Sequence, residues 1–246
     1  MKLELKLNPT ATQNVLAIVI ALLTAASVTG SIVDRLPLPP GLRAEARESF
    51  VRLFALDCEG NIPTWFSASL LLAAAGLMAL VTVLKYRTQD RYRRYWGGLA
   101  CLLLAASVDE AAVIHEMTIK PMGLVFAQKG FLTFGWIIPG ALFVLAIAVL
   151  YIGFLWSLPS ATRWRFVYAG ILYFGGAIGF ESISGEFVDL CGLQSPSYLL
   201  VSTCEEMLEM LGVVVLIRAL LCYLEHDMRA QTARPSTTTN EPSAQL

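Results

Sequence analysis

Six stretches of this chain, residues 14–33, 64–84, 96–117, 131–158, 166–184 and 198–224, are apolar over lengths that cross a bilayer. A helix rises about 1.5 Å per residue, so about 20 apolar residues traverse a hydrocarbon core of roughly 30 Å. Lipid offers no water to satisfy backbone N–H and C=O groups, which leaves helices and closed barrels as the spanning structures. These runs are continuous rather than alternating, so they are read as helices. Composition agrees, with 56% hydrophobic and 15% charged residues and a mean hydropathy of +0.63, far more apolar than an ordinary soluble domain.

The expected fold is therefore an all-α polytopic membrane bundle with a six-helix transmembrane domain over residues 14–224. Residues 1–13 form the N-terminal segment, and 225–246 a Thr-, Ser- and Pro-rich tail expected to be disordered. The first run is rather long for a signal peptide and is read as an uncleaved anchor. The fourth run is overlong and contains Pro139-Gly140, where a tilt or kink is expected. A net charge of −1 without basic–aromatic patterning gives no sign of nucleic-acid binding; the partner is the lipid bilayer.

Basic residues set the expected orientation. Lys85, Arg87, Arg91, Arg93 and Arg94 crowd one connection, and Arg163, Arg165, Arg229, Arg234, Lys2 and Lys6 fall on the same side. The opposite side has Arg35, Arg43, Arg47, Arg52, Lys120 and Lys129. Both termini are expected to be cytoplasmic. Residues 35–63 begin with Pro37, Pro39 and Pro40 and then mix charge with Phe50, Val51, Leu53 and Phe54. This pattern suits a short amphipathic helix on the outer membrane surface, or a loop capping the bundle.

Against this background the acids stand out. Asp109, Glu110, His115 and Glu116 lie in or beside the third run, Glu181 in the fifth, and Glu205, Glu206 and Glu209 in the sixth, while Glu59 precedes the second. An ionised carboxylate in hydrocarbon costs about 2.5–3.5 kcal/mol or more, so these groups need a cation, protons, water or each other. With the expected orientation, helix rise puts all of them in the outer half of the membrane. Asp109 lies about 20 Å and Glu116 about 30 Å along an outward helix. On a continuous helix these two would share a face, about 20° apart, and Glu205, Glu206 and Glu209 would form a stripe about 100° wide. The acids are expected to share one site, with Ser107, Ser182, Ser184, Ser202 and Thr203 as neighbouring hydroxyls. Gly170, Gly175, Gly176 and Gly179 thin one side of the fifth helix for close packing.

The segments S-V-D-E-A-A-V-I-H-E at 107–116, E-G-N-I-P-T-W-F-S at 59–67 and E-E-M-L-E-M-L-G at 205–212, with F-G-W-I-I-P at 134–139, resemble a group of uncharacterised bacterial multi-pass membrane proteins. The resemblance runs from about residue 56 to 224 and implies a bacterial inner-membrane location. It carries no activity with it.

Three readings of the acids follow. In the first they bind a divalent metal ion, Fe, Mn, Zn, Ca or Mg, through Asp109, Glu116, Glu181, Glu205 and Glu209. His115 and Glu110 then serve as ligands or acid–base groups, Glu59 and Glu206 are additional members, and the substrate is a lipid or small molecule. The spacing departs from the Glu-x-x-His pairs of ferritin-like bundles. In the second reading the same acids relay protons or cations in a transporter, although no inverted repeat is evident. In the third they form a structural polar core. Trp65, Trp96, Trp136, Trp156 and Trp164 are expected at the membrane interfaces. Arg218 is expected to snorkel to headgroups, and Cys58 and Cys191 fall on one side where pairing is conceivable.

Overall fold

A computed structural model of the chain describes residues 8–37 and 39–232, with side chains as far as Asp227. Helix α1 (Pro9–Arg35) starts where Asn8 Oδ1 accepts from the N–H groups of Thr10 and Ala11, with Pro9 in its first turn. It stops at Leu36, which is extended ahead of Pro37.

Residues 35–63 are largely helical, in short pieces rather than one amphipathic helix. Helix α2 (Pro40–Ala46), a π-helical turn (Arg47–Val51) and the single turn α3 (Arg52–Phe54) lie against the end of α1, where Gly30 leaves room for Val51. Phe50 and Leu53 point outward, whereas the chain after them turns in. Leu56 N–H donates to the buried Ser27 hydroxyl at 3.0 Å, and the Leu56 side chain enters the core.

Helix α4 (Ile62–Arg87) is capped by Asn61, whose Oδ1 accepts from Thr64 N–H, and its last turn carries Lys85 and Arg87. Helix α5 (Arg93–Ala112) packs along it. The expected third span does not continue to residue 117. Val113 takes up the left-handed conformation (φ 55°, ψ 41°), and the following piece, the 3-10 turn His115–Thr118 with α6 (Ile119–Met122), bends away by 76°. The fourth span is also shorter than expected. A 3-10 turn (Gly130–Leu132) leads into α7 (Ile137–Ser157). Pro139 thus sits in the first turn of α7, where its missing N–H is not needed, and does not break a helix interior.

The fifth span is one long rod made of α8 (Ser160–Phe174), a π-helical segment (Gly175–Phe180) and α9 (Glu181–Cys191). The sixth, α10 (Pro196–Thr232), passes well beyond residue 224, so the first part of the expected tail is helical; residues 233–246 and 1–7 lie outside the described residues. Among the described residues no strand occurs, and five helices are long and apolar enough to cross a membrane, or six if the bent α5–α6 pair is one span.

Helix α10 is the axis of the bundle. Half of its most apolar window is buried, against 17% for α7, which leaves α7 as a flank facing lipid. One core packs Ile20 of α1 and Leu70, Leu71 and Ala74 of α4 on Met210, Val214 and Ile217 of α10. The other centres on Trp96, which is 1% exposed and meets Phe154 edge-on at 5.0 Å and Phe166 at 5.9 Å. Trp96 is therefore core, whereas Trp65, Trp156 and Trp164 are widely exposed, as interface anchors should be. Arg218 does not reach outward alone; it donates to Gln13 Oε1 of α1 at 2.7 Å.

Candidate carboxylate cavity

α4 begins, α5 ends and α10 begins at the same end of the bundle, and between them lies a cavity of about 120 Å³. Each of the acids singled out from the sequence lines it. Glu59 comes from the α3–α4 loop, Asp109 and Glu110 from the last turn of α5, and His115 and Glu116 from the turn after it. Glu181 comes from α9, and Glu205, Glu206 and Glu209 from α10. Among the described residues no Lys or Arg belongs to the lining.

The left-handed turn at Val113 organises one wall. Asp109 caps the reversed chain, accepting from His115 N–H through Oδ1 at 2.7 Å and contacting the imidazole Nδ1 through Oδ2 at 3.0 Å. A carboxylate only accepts, so Nδ1 carries the proton and Nε2 is the ring nitrogen left for chemistry. The expected common face of Asp109 and Glu116 is lost because the helix ends between them; the bend, rather than helical periodicity, brings Glu116 to the cavity. A β-branched residue in the left-handed region costs about 1–2 kcal/mol. Val113→Gly is accordingly expected to raise the thermal midpoint, with a gain of about 1 kcal/mol, while a fall would mean that the valine side chain itself holds the turn.

The opposite wall is held by hydrogen bonds that sequence reading did not foresee. Trp136 Nε1–H donates to Glu181 Oε1 at 2.6 Å, and its ring lies 5.1 Å from that of His115. Trp136 thus contributes to the cavity wall, a role beyond that of an interface anchor. Ser184 donates to both Glu181 O and Glu205 Oε2, at 2.9 and 3.2 Å. Ser184 and Ser202 reach the lining, but Ser107 is spent on Ala68 O between helices, and Ser182 and Thr203 bond back to their own helices. Asp57, Tyr173 and Tyr198, which the sequence reading does not single out, also line the cavity, as does Phe134 of the F-G-W-I-I-P segment. They lie in loops or among ordinary apolar residues, where no periodic signal marks them.

Asp57 and Glu59 stand in the loop outside the helices. Burial against the cavity wall pushes the Asp57 carboxyl up, with Arg35 pulling it down. Glu59 is exposed as a residue, yet desolvation on its cavity side raises it too; His115 opposes the shift, while Glu116 and Asp109 add to it. Among the described residues no group of three or more His, Cys, Asp or Glu side chains is placed to hold a metal ion. All five cysteines are free thiols.

The fold and cavity define a polytopic helical membrane protein with an acid-lined chamber at one end of its bundle. The chain belongs to the family described as Domain of unknown function (DUF8692), which matches residues 15–224. No curated protein and no solved structure matches it.

Proposed function

We propose that the chamber binds a hydrated divalent cation on the outer side of a bacterial inner membrane, with both termini cytoplasmic. One observation carries this reading: nine carboxyl side chains and a single imidazole line the cavity, with no Lys or Arg among the described residues to balance them. Left ionised without a counter-charge, such groups repel each other and pay heavily for desolvation. An oxygen-rich donor set fits hard cations, and Mg²⁺ in particular retains several waters. No group of three His, Cys, Asp or Glu side chains among the described residues is placed to hold a metal ion, so the proposed ion is one held through its own water shell.

The chamber, about 120 Å³ in volume, has room for an ion together with several of its waters. Asp109, Glu116, Glu181, Glu205 and Glu209 are the proposed ligands, directly or through water. His115, oriented by Asp109, and Glu110 are the proposed acid–base groups toward a small substrate or a lipid headgroup. The cation would supply charge neutralisation and polarisation of a bound oxygen; the chain supplies the orienting Asp109–His115 pair and the Trp136–Glu181 contact.

A second reading, proton- or cation-coupled transport, draws on the stripe of Glu205, Glu206 and Glu209 along α10, which could pass a proton between coupled acids. Equilibrium dialysis of the detergent-purified protein against Mn²⁺ or Ca²⁺, followed by elemental analysis, separates the readings. Stoichiometric binding that is lost in both Asp109→Asn and Glu205→Gln is the expected result. Folded protein that takes up no cation but moves protons in liposomes would replace the first reading with the second. Neither activity would leave a structural polar core.

A further inference from the structure

We propose that the end of the bundle remote from the acidic chamber carries a binding site for the phosphate of an anionic membrane lipid. α4 leaves the core there and α5 enters it, and the adjoining turn between α7 and α8 closes a second cavity of about 290 Å³. Its floor is aromatic and apolar, made of Tyr92, Trp96, Tyr223 and Leu158, with Arg91 at its edge. Among the described residues the lining holds one acid, Asp90, whose Oδ1 accepts from Tyr92 N–H at 2.7 Å, and Asp227 nearby pairs with Lys85 at 2.7 Å; the arginines around the cavity outnumber these two acids.

The arginine charge is concentrated and unpaired. Arg87, Arg91 and Arg94 are exposed, and among the described residues none of them meets a carboxylate within ion-pair distance. Arg163, on the first turn of α8, follows the Ser157–Pro159 segment of the lining, stacks over Trp156 at 4.6 Å and donates to Trp156 O through Nη1 at 3.3 Å. The planar donor fork of a guanidinium is matched to phosphate oxygens.

The aromatic side chains settle which phosphate is meant. Trp156 and Trp164 are 66% and 62% exposed at this same end, and exposed indoles mark the headgroup layer of a bilayer. The cavity therefore opens where lipid phosphates are dense, and clustered Lys and Arg next to a span favour anionic headgroups. This site is independent of the cation chamber and stands whether or not that chamber binds an ion.

Native mass spectrometry of the full chain, extracted into detergent and offered phosphatidylglycerol or phosphatidylcholine, tests the proposal. Retention of phosphatidylglycerol over phosphatidylcholine is expected. Affinity should weaken about fivefold for each charge removed in Arg91→Gln, Arg94→Gln and Arg163→Gln, the factor equivalent to ~1 kcal/mol per basic residue at an anionic surface. Lys129→Gln, on a connection at the other end, should leave retention unchanged. Because Arg91 and Arg94 are exposed, their substitution tests the site without threatening the fold. Equal retention of the two lipids, or wild-type retention in the arginine variants, would overturn the proposal. Displacement of the lipid by millimolar inorganic phosphate would overturn it as well, by assigning the site to a soluble anion.

Discussion

Gly212→Leu is expected to prevent assembly of the bundle, whereas Gly170→Leu is expected to be tolerated. A Cβ at Gly212 would stand 2.7 Å from Tyr173 N and 2.9 Å from Ala169 O, both backbone atoms of α8. Backbone cannot swing aside as a side chain can, so α8 and α10 would have to separate. In lipid there is little hydrophobic force to draw helices together, and close packing of small residues carries much of the association. Overpacked cores commonly lose about 1–3 kcal/mol, and displacement of a whole helix exceeds that range. Gly176 makes the matching approach on the π-helical segment, where a Cβ would stand 2.8 Å from Glu205 O and from Glu209 Cγ. Gly176→Leu should therefore disturb the cavity acids directly. Gly170 has nothing within 4 Å and serves as the control. Monodisperse yield in mild detergent and the thermal midpoint give the readout. A Gly212→Leu protein with a wild-type midpoint would show that α8 does not rest on α10 in this way.

This contrast also shows where sequence reading succeeds and where it stops. Hydrophobic length located the spans, because a bilayer sets their minimum extent regardless of tertiary contacts. The acids could be gathered into one site because alternation of span direction fixes depth, and depth alone placed them at a common level. Azimuth was less legible. Of the four glycines aligned on the fifth helix, only Gly176 lies in a close contact; Gly170, Gly175 and Gly179 have open space around them. Gly212, the tighter contact, sat unremarked within the E-E-M-L-E-M-L-G segment. The bend at Val113 was invisible for a different reason. Nothing in A-A-V-I-H-E demands a left-handed valine, and only the capping of His115 by Asp109 reveals what the turn achieves. Likewise Trp136 and Trp96 have the composition of membrane anchors, and their burial beside Glu181 and Phe154 depends on partners distant in sequence.

The stabilisation produced by a divalent cation is expected to grow as pH rises. Asp57 and Glu59, outside the helices, both hold their protons to higher pH in the folded protein than their ordinary values of 3.8 and 4.5. A carboxyl raised on folding binds more protons in the native state than in the unfolded chain. Its favourable contribution is complete below the ordinary value and is lost as pH climbs through the raised one. Without a cation, the midpoint should therefore decline as pH climbs above these ordinary values, as negative charge accumulates at the chamber mouth. A bound cation reverses this penalty, because the groups that have lost protons are the ones that attract it. At 100 times its dissociation constant a ligand selective for the native state adds about 2.7 kcal/mol, and for a chain of this size that is roughly 5–10 °C in midpoint. Thermal unfolding in detergent, with Ca²⁺ or with a chelator, should show the gap widening between pH 5 and 8. In Asp57→Asn/Glu59→Gln the chelated profile should flatten, while the gap narrows without closing, since Glu205, Glu206 and Glu209 remain in the lining. A gap that is constant across pH would mean that the cation acts on groups other than these carboxyls. If there is no gap at any pH, the chamber holds protons and water alone.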